Sequence, residues 1–263
     1  MQFFREACGA LVIAHPGHEL RVHGWLEKAR PLVFVLTDGS GRSGLPRLNS
    51  TRKVLLDAGA KTGPIFGRFT DAETYASILA ADFSRFTILA TDLAQSFFER
   101  GIEYVAGDAS EGYNPAHDLC RLILNAAVDI TRRRTGREIL NFDFPLIGRP
   151  DTCHQKHLTG AIRIELDDIA FARKLRIAES YPELLQEVES TVTENGIEAF
   201  RKECLRPVYE SQGSYVLEDQ PFYERYGERQ VAAGLYPKVL RYRRHMLPLA
   251  GALRRHVEKM DTL

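Results

Sequence analysis

The chain has 263 residues, 44% of them hydrophobic and 27% charged, which suits one large core with or without an appendage and excludes wholesale disorder. Thirty-five Lys and Arg balance thirty-five Asp and Glu, and this neutrality argues against a dedicated nucleic-acid binder, which needs surplus positive charge. The balance is uneven: residues 225–263 hold nine Lys and Arg against three Asp and Glu, a net +6, and the preceding residues carry −6.

The first apolar run, 8–14, passes directly into His15-Pro16 without a small-residue cleavage site, so it reads as a buried strand and not as a signal-peptide core. Runs at 32–36, 86–90, 102–106 and 139–144 read the same way, each short and bounded by turn residues or charge. Between them lie helical patterns at 18–29, with Val22, Trp25, Leu26 and Ala29 on one face, and at 47–60, 71–81 and 115–133, the last opened by Pro115. Strand–helix alternation predicts an α/β fold with a doubly wound, mostly parallel, Rossmann-like sheet. The alternation at 161–166 suggests an edge strand. Beyond it, helices are expected at 169–180, 183–204 and 237–256, around a polar loop at 212–220. The expected division is an α/β domain over 1–180 and a helical extension over 181–263, packed on or beside it. No apolar run reaches the ~20 residues needed to cross a bilayer. Four scattered cysteines without a CxxC pair suit a reduced, cytoplasmic protein.

In parallel α/β sheets ligands bind beyond the carboxyl ends of the strands, so the residues after each strand matter most. The first strand ends in Ala14-His15-Pro16-Gly17-His18-Glu19. The fourth is followed by a Gly-rich loop through Glu111 to Asn114-Pro115-Ala116-His117, with His117 in the first turn of the next helix. His15, His18 and His117 with one open position form the donor set of a catalytic zinc site, although a lone histidine is more often a surface or core residue. His154 and His157 also have ligand-like spacing but fall in a loop. The Gly39–Gly44 stretch matches GxGxxG without the strand–turn–helix context a dinucleotide site requires. It reads instead as a substrate loop, with Arg42 and Arg47 available to bind a phosphate or sugar hydroxyl.

These segments resemble the PIG-L/LmbE-like zinc-dependent N-acetylglucosaminyl deacetylases, whose first motif is Ala-His-Pro-Asp-Asp-Glu and whose second is His-Pro-Asp-His. Leu36-Thr37-Asp38-Gly39 after the second strand is also similar. The resemblance spans residues 8 to 148 and implies de-N-acetylation of an amino sugar or its conjugate, using Zn²⁺ or another divalent metal. The departures are specific. Gly17 stands where the family has its general base, and His18 replaces a ligand carboxylate. Asn114 replaces a histidine that polarises the acetamide, and it retains only hydrogen-bond donation. Proton delivery then falls to Glu111 or Asp38, with Glu19 and Asp118 expected to orient the imidazoles.

Three rivals stand beside this expectation: a catalytically impaired metal- and sugar-binding relative, a hydrolase of another carbonyl bond, and a nucleotide-sugar transferase that would not need converging histidines. The basic tail is expected to dock on the acidic body in preference to an anionic membrane surface. The partner expected is a small-molecule or glycoconjugate N-acetyl sugar, not nucleic acid.

Overall fold

The run at 8–14 becomes the innermost part of a parallel sheet because it can be covered on both faces. In the computed structural model, which describes residues 7–41, 43–152, 159–209, 217 and 219–260, strand β1 (Gly9–Ile13) pairs in parallel with β2 (Leu32–Thr37) on one side and β4 (Tyr104–Asp108) on the other. Alternate β1 side chains serve opposite layers: Ala10 and Val12 join one core cluster, Leu11 and Ile13 the other. The sheet continues as β3 (Lys61–Phe69) beyond β2 and β5 (Leu140–Phe144) beyond β4, all parallel. This is the doubly wound, Rossmann-like α/β arrangement read from the strand–helix alternation.

One core layer is built by α3 (Asp71–Leu79), α4 (Ser84–Glu99), α5 (Pro115–Thr135) and the terminal α9 (Leu247–Lys259). The other is built by α1 (His23–Ala29), α2 (Leu48–Ala58) and α6 (Asp168–Glu179). Helix α7 (Leu185–Asn195) follows α6, and α8 (Phe222–Ala232) precedes α9.

Several expectations need correction. The run at 86–90 is not a strand. It lies inside α4, where Phe86, Leu89, Ala90, Leu93, Ala94 and Phe97 are all buried at helical spacing. The missed strand β3 carries Gly63, Pro64 and Gly67, which disguise it, and it occupies a sheet edge where proline is tolerated. The helix expected at 18–29 is split into a 3-10 turn, His18–Val22, and α1. Val22 offers α1 no side-chain cap; the first amides, Gly24 and Trp25 N–H, donate instead to Glu203 at 2.8 Å each.

Glu203 lies in β7 (Lys202–Pro207), within the segment expected as one helix over 183–204. β7 runs antiparallel between β5 and β6 (Ile162–Glu165), the expected edge strand. A division at residue 180 therefore cuts the sheet. The buried Lys174 Nζ donates to Glu203 at 2.7 Å, so α6, β7 and α1 share one charged junction.

The basic tail docks. Leu249, Leu253 and Val257 of α9 are buried against α4 and α5, and Arg241 pairs with Glu224 and Glu228. No helix among the described residues is long and apolar enough to cross a membrane. Leu249→Ala opens a cavity in this docked layer and is expected to cost about 2–5 kcal/mol, read from the urea midpoint. A loss below about 1 kcal/mol would mean that the tail is not part of the cooperative core.

Candidate metal centre and cleft

The sheet order reverses direction between β1 and β4, and the chain leaving each strand there carries histidine. His15 and His18 follow β1, and His117 lies in the first turn of α5 after β4. Asn114 caps α5 with Oδ1 accepting from Ala116 N–H at 2.8 Å, and Pro115 takes the first helical position. The sequence-predicted triad is thus brought together. Its ring centres are 5.3 Å apart for His15–His18, 5.2 Å for His15–His117 and 4.6 Å for His18–His117.

Each ring is held differently. Nδ1 of His15 lies 2.8 Å from Thr37 Oγ1 and 3.0 Å from an Asp71 carboxylate oxygen. Thr37 donates its own proton to Ala14 O, so it accepts from His15 Nδ1–H, and the lone pair of His15 is on Nε2. His18 Nδ1–H likewise donates to Asp108 Oδ2 at 2.9 Å, leaving its Nε2 lone pair. Nδ1 of His117 is buried without a hydrogen-bond partner. Burial lowers the pKa of His18 against the opposing pull of Asp108, and burial with two imidazole neighbours holds His117 well below the usual range. Both rings are therefore neutral at pH 7, the ligating form. Burial alone would raise the Asp71 carboxyl, but His15 and the Gly41 amide hold it well below its ordinary value.

The three rings have the spacing of metal ligands: imidazoles sharing one tetrahedral ion at ~2.0–2.1 Å from nitrogen keep their ring centres ~5 Å apart. Among the described residues, however, no group of three or more His, Cys, Asp or Glu side chains is placed so that it could hold a metal ion as it stands. The case for a divalent cation rests on the ring spacing, the tautomers and the unpartnered His117 Nδ1.

The triad opens onto a cleft of about 1280 Å³. Asp71, Arg47, Asn114 and Tyr75 line it near the histidines. Arg47 Nε is buried without a partner. Asn114 Oδ1 also accepts from Tyr75 O–H at 3.0 Å, so the amide Nδ2 is the donor left to face the cleft.

The expected proton-handling groups are committed elsewhere. Glu111 is absent from the cleft lining, and its carboxylate accepts from Leu146 and Ile147 N–H at 3.0 and 3.2 Å, bracing that loop. Asp38 Oδ1 accepts from Ser40 N–H and O–H in a tight local turn. Asp118 holds the Glu111 and Gly112 amides, and Glu19 the Gly17 amide. The carboxylates on the imidazoles are instead Asp71 and Asp108. Arg42, His154 and His157 lie outside the described residues.

Gly17 has φ +105°, a conformation L side chains rarely adopt, and a Cβ there would collide with Leu184 Cδ1. Gly17→Asp is expected to destabilise by the ~1–3 kcal/mol of backbone strain, with a smaller addition from shifting the Leu184 side-chain end. Adding Leu184→Ala should recover the collision but not the strain, as thermal denaturation of both variants would show. Equal stability of Gly17→Asp and wild type would refute this packing. Glu111 supplies a second test, because burial raises its carboxyl from 4.5 to about 7. The folded state then holds a proton that the unfolded chain has released, so stability falls as pH rises from about 4.5 to 7. Urea midpoints at pH 5 and 7.5 should differ more for wild type than for Glu111→Gln. Identical differences would place the titration elsewhere.

Comparison with known proteins gives limited company. No protein-family model matches the chain, and no curated protein matches it. Among solved structures, the antimicrobial A40926 pseudoaglycone deacetylase Dbv21 is 17% identical with a TM-score of 0.48, covering 76% of this chain and 96% of its own. A triple mutant of a deacetylase from the teicoplanin biosynthetic pathway is 15% identical with a TM-score of 0.49, covering 79% of this chain and all of its own. The zinc-inhibited form of teicoplanin deacetylase Orf2 is 13% identical, with a TM-score of 0.44 over 78% of this chain and 100% of its own. At these values they are distant likenesses of an α/β chain.

Proposed function

We propose that the protein is a zinc-dependent hydrolase that removes the N-acetyl group from an N-acetylated amino sugar or its conjugate. The supporting observation is the meeting of three imidazoles at the strand-order switch, beside a large cleft, with Nε2 lone pairs left free on His15 and His18 by their hydrogen bonds. Zn²⁺ held by His15, His18 and His117 would supply Lewis-acid polarisation of the amide carbonyl and lower the pKa of water.

The chain's own residues do the rest. Asp71 and Thr37 fix the His15 ring, and Asp108 fixes His18, so each presents Nε2 without reorganisation. Asn114 Nδ2 is the donor for negative charge developing on the acetamide oxygen, with Tyr75 holding the opposite end of the amide. Arg47 binds a sugar hydroxyl or a phosphate with its unpartnered Nε. Glu111 and Asp38 are given no proton-transfer step, because both are committed to backbone amides outside the cleft lining. The thiols of Cys8 and Cys120, which form no disulfide, suit a reducing, cytoplasmic setting.

A metal- and sugar-binding protein without turnover is the second reading. It is favoured by Gly17, where Leu184 fills the space in which the family resemblance would put a general base.

Metal analysis of the purified protein should give about one divalent ion per chain, lost in His18→Ala and His117→Ala. Acetate release from a panel of N-acetyl amino sugars should accompany it. Asn114→Asp keeps the helix cap but removes the donor, so it should lower kcat about 10²–10³-fold with metal retained. Protein that binds no metal would overturn the proposal; metal-loaded protein inert across the panel would select the second reading.

A further inference from the structure

Arg21 carries a buried charge that the chain does not match. It stands in the 3-10 turn His18–Val22, three residues after His18, and both residues line the cleft. Residues three apart in such a turn are eclipsed, so Arg21 leaves the backbone on the same side as the imidazole. Its Nε and Nη2 donate to the carbonyls of Pro145 and Gly148 at 3.3 and 2.7 Å, and its Cζ lies 5.7 Å from the ring centre of Phe200, which also lines the cleft. All of these partners are neutral. Nη1 is buried without a hydrogen-bond partner, and among the described residues no carboxylate forms an ion pair with Arg21. Burial accordingly pulls its pKa down to about 10.

The carboxylate whose charge reaches Arg21 is that of Glu111. Both of its oxygens are engaged by the Leu146 and Ile147 amides, and burial raises it to about 7, so part of its charge is missing at neutral pH. Other cations of the cleft are better served. Lys174 is matched by Glu203 at 2.7 Å, and Arg47 has the Glu19 carboxylate in its field. The acidic residues of the lining lie elsewhere: Asp71 is held at His15, and Glu179, Glu187 and Glu189 are exposed on α6 and α7. Water screens those three, and they repel an anion from the α7 side. A hydroxyl could accept from Nη1 but would leave the charge unmatched, and an unmatched buried charge is costly. A negatively charged group in the cleft removes both deficits, and the remaining edge of the planar fork suits carboxylate or phosphate oxygen.

We infer that Arg21 is the seat of an anionic group, a carboxylate or a phosphate, and that the molecule bound in the cleft carries this group a few bonds from its acetamido sugar. The placing of the acetamide at the histidines rests on the proposed function; the anion subsite rests on the unmatched guanidinium.

The test is calorimetric binding of three N-acetylglucosaminides to the full-length protein at pH 7.5, with glycolic acid, glycolamide or 2-hydroxyethyl phosphate as the aglycone. The acid or the phosphate should bind about tenfold or more tightly than the amide, and which of the two binds tighter identifies the anion. Arg21→Gln should bring the anion-to-amide ratio close to one, and Arg21→Lys, which keeps the charge without the fork, should give an intermediate ratio. Glu111→Gln removes the neighbouring negative charge and should raise the ratio. It keeps the test decisive if Arg21→Gln, which loses the braces to Pro145 and Gly148, does not fold. A wild-type ratio near one would overturn the subsite. So would a ratio that persists in Arg21→Gln, because the anion would then lie on the metal, or one unmoved in both Arg21→Lys and Glu111→Gln. Acetate assays on the same compounds keep the two proposals apart. An anion preference without acetate release would sustain the subsite and count against hydrolysis. Acetate release with kcat/KM and Kd both indifferent to the charge would do the reverse.

Discussion

The carboxylate of Asp108 ties the fold to the site. It is fully buried at the carboxyl end of β4, where one oxygen accepts both the Ala14 N–H at the end of β1 and His18 Nδ1–H. Arg121 of α5 then holds the Asp108 carbonyl at 2.7 Å and reaches Asn141 and the Phe142 carbonyl in β5. A single charged side chain thus joins two central strands to the turn that carries the second histidine. Both contacts are made by Oδ2, while Oδ1 is buried without a hydrogen-bond partner, a costly arrangement for a carboxylate. The geometry of the Oδ2 contacts is the geometry of the site, so the strands cannot separate without misplacing His18. The same logic holds at His15, where Thr37 from β2 and Asp71 from α3 share one ring nitrogen. His15 and His18 are thus anchored to different neighbours of β1.

Gly17 shows how local backbone and distant packing converge. In sequence it reads as a lost functional group. In the fold its positive φ turns the chain from His15 to His18, and its bare Cα leaves room for Leu184, which lies 167 positions further along. An aspartate would have to displace that leucine and bear an unfavourable conformation. The bare Cα of Gly17 is therefore coupled to the packing of Leu184, one residue before α7.

What sequence makes legible here follows from the range of each signal. The three histidines are readable because they lie in short, strongly marked turns: Pro-Gly after an apolar run, and Asn-Pro at a helix start. The central strands β1, β2 and β4 are readable because near-complete burial leaves short apolar runs, and β5, interrupted by Asn141 and Asp143, is readable from its Ile139, Phe142 and Phe144. Asp71 and Asp108 are not. Asp71 looks like an ordinary acidic residue in a first helical turn behind the Thr70 cap, and Asp108 like a loop residue. Only the strand order β3-β2-β1-β4 brings them to the imidazoles. The run at 86–90 misleads because a buried helix and a buried strand share composition over five residues, and only the spacing out to Phe97 separates them. β7 is invisible for a further reason. Its place between β5 and β6 is set by antiparallel pairing with strands about 40 and 60 residues away, which no local pattern encodes.

β7 also decides how the two halves of the chain depend on each other. Glu203 caps α1 by accepting the Gly24 and Trp25 amides, and its charge is matched by Lys174 of α6, which lines the cleft. Helix α1 is continuous with the turn that positions His18. The segment after residue 180 therefore supplies the cap on the helix behind the candidate metal centre, the leucine over Gly17 and part of the cleft wall. On the opposite side, Phe222 of α8 stacks on Tyr113 at 4.6 Å, next to Asn114. Residues preceding position 180 contribute the histidines and their carboxylates; residues following it shape what can approach them. A chain shortened to the resembling segment would keep the triad's own partners but lose the cap, Leu184 and the α7 wall. The histidines and the residues that shape their surroundings are thus carried by different parts of one sheet-bound unit, and the division by charge, −6 before residue 225 and +6 from it onward, ends in docking as α9 closes the layer over α4 and α5.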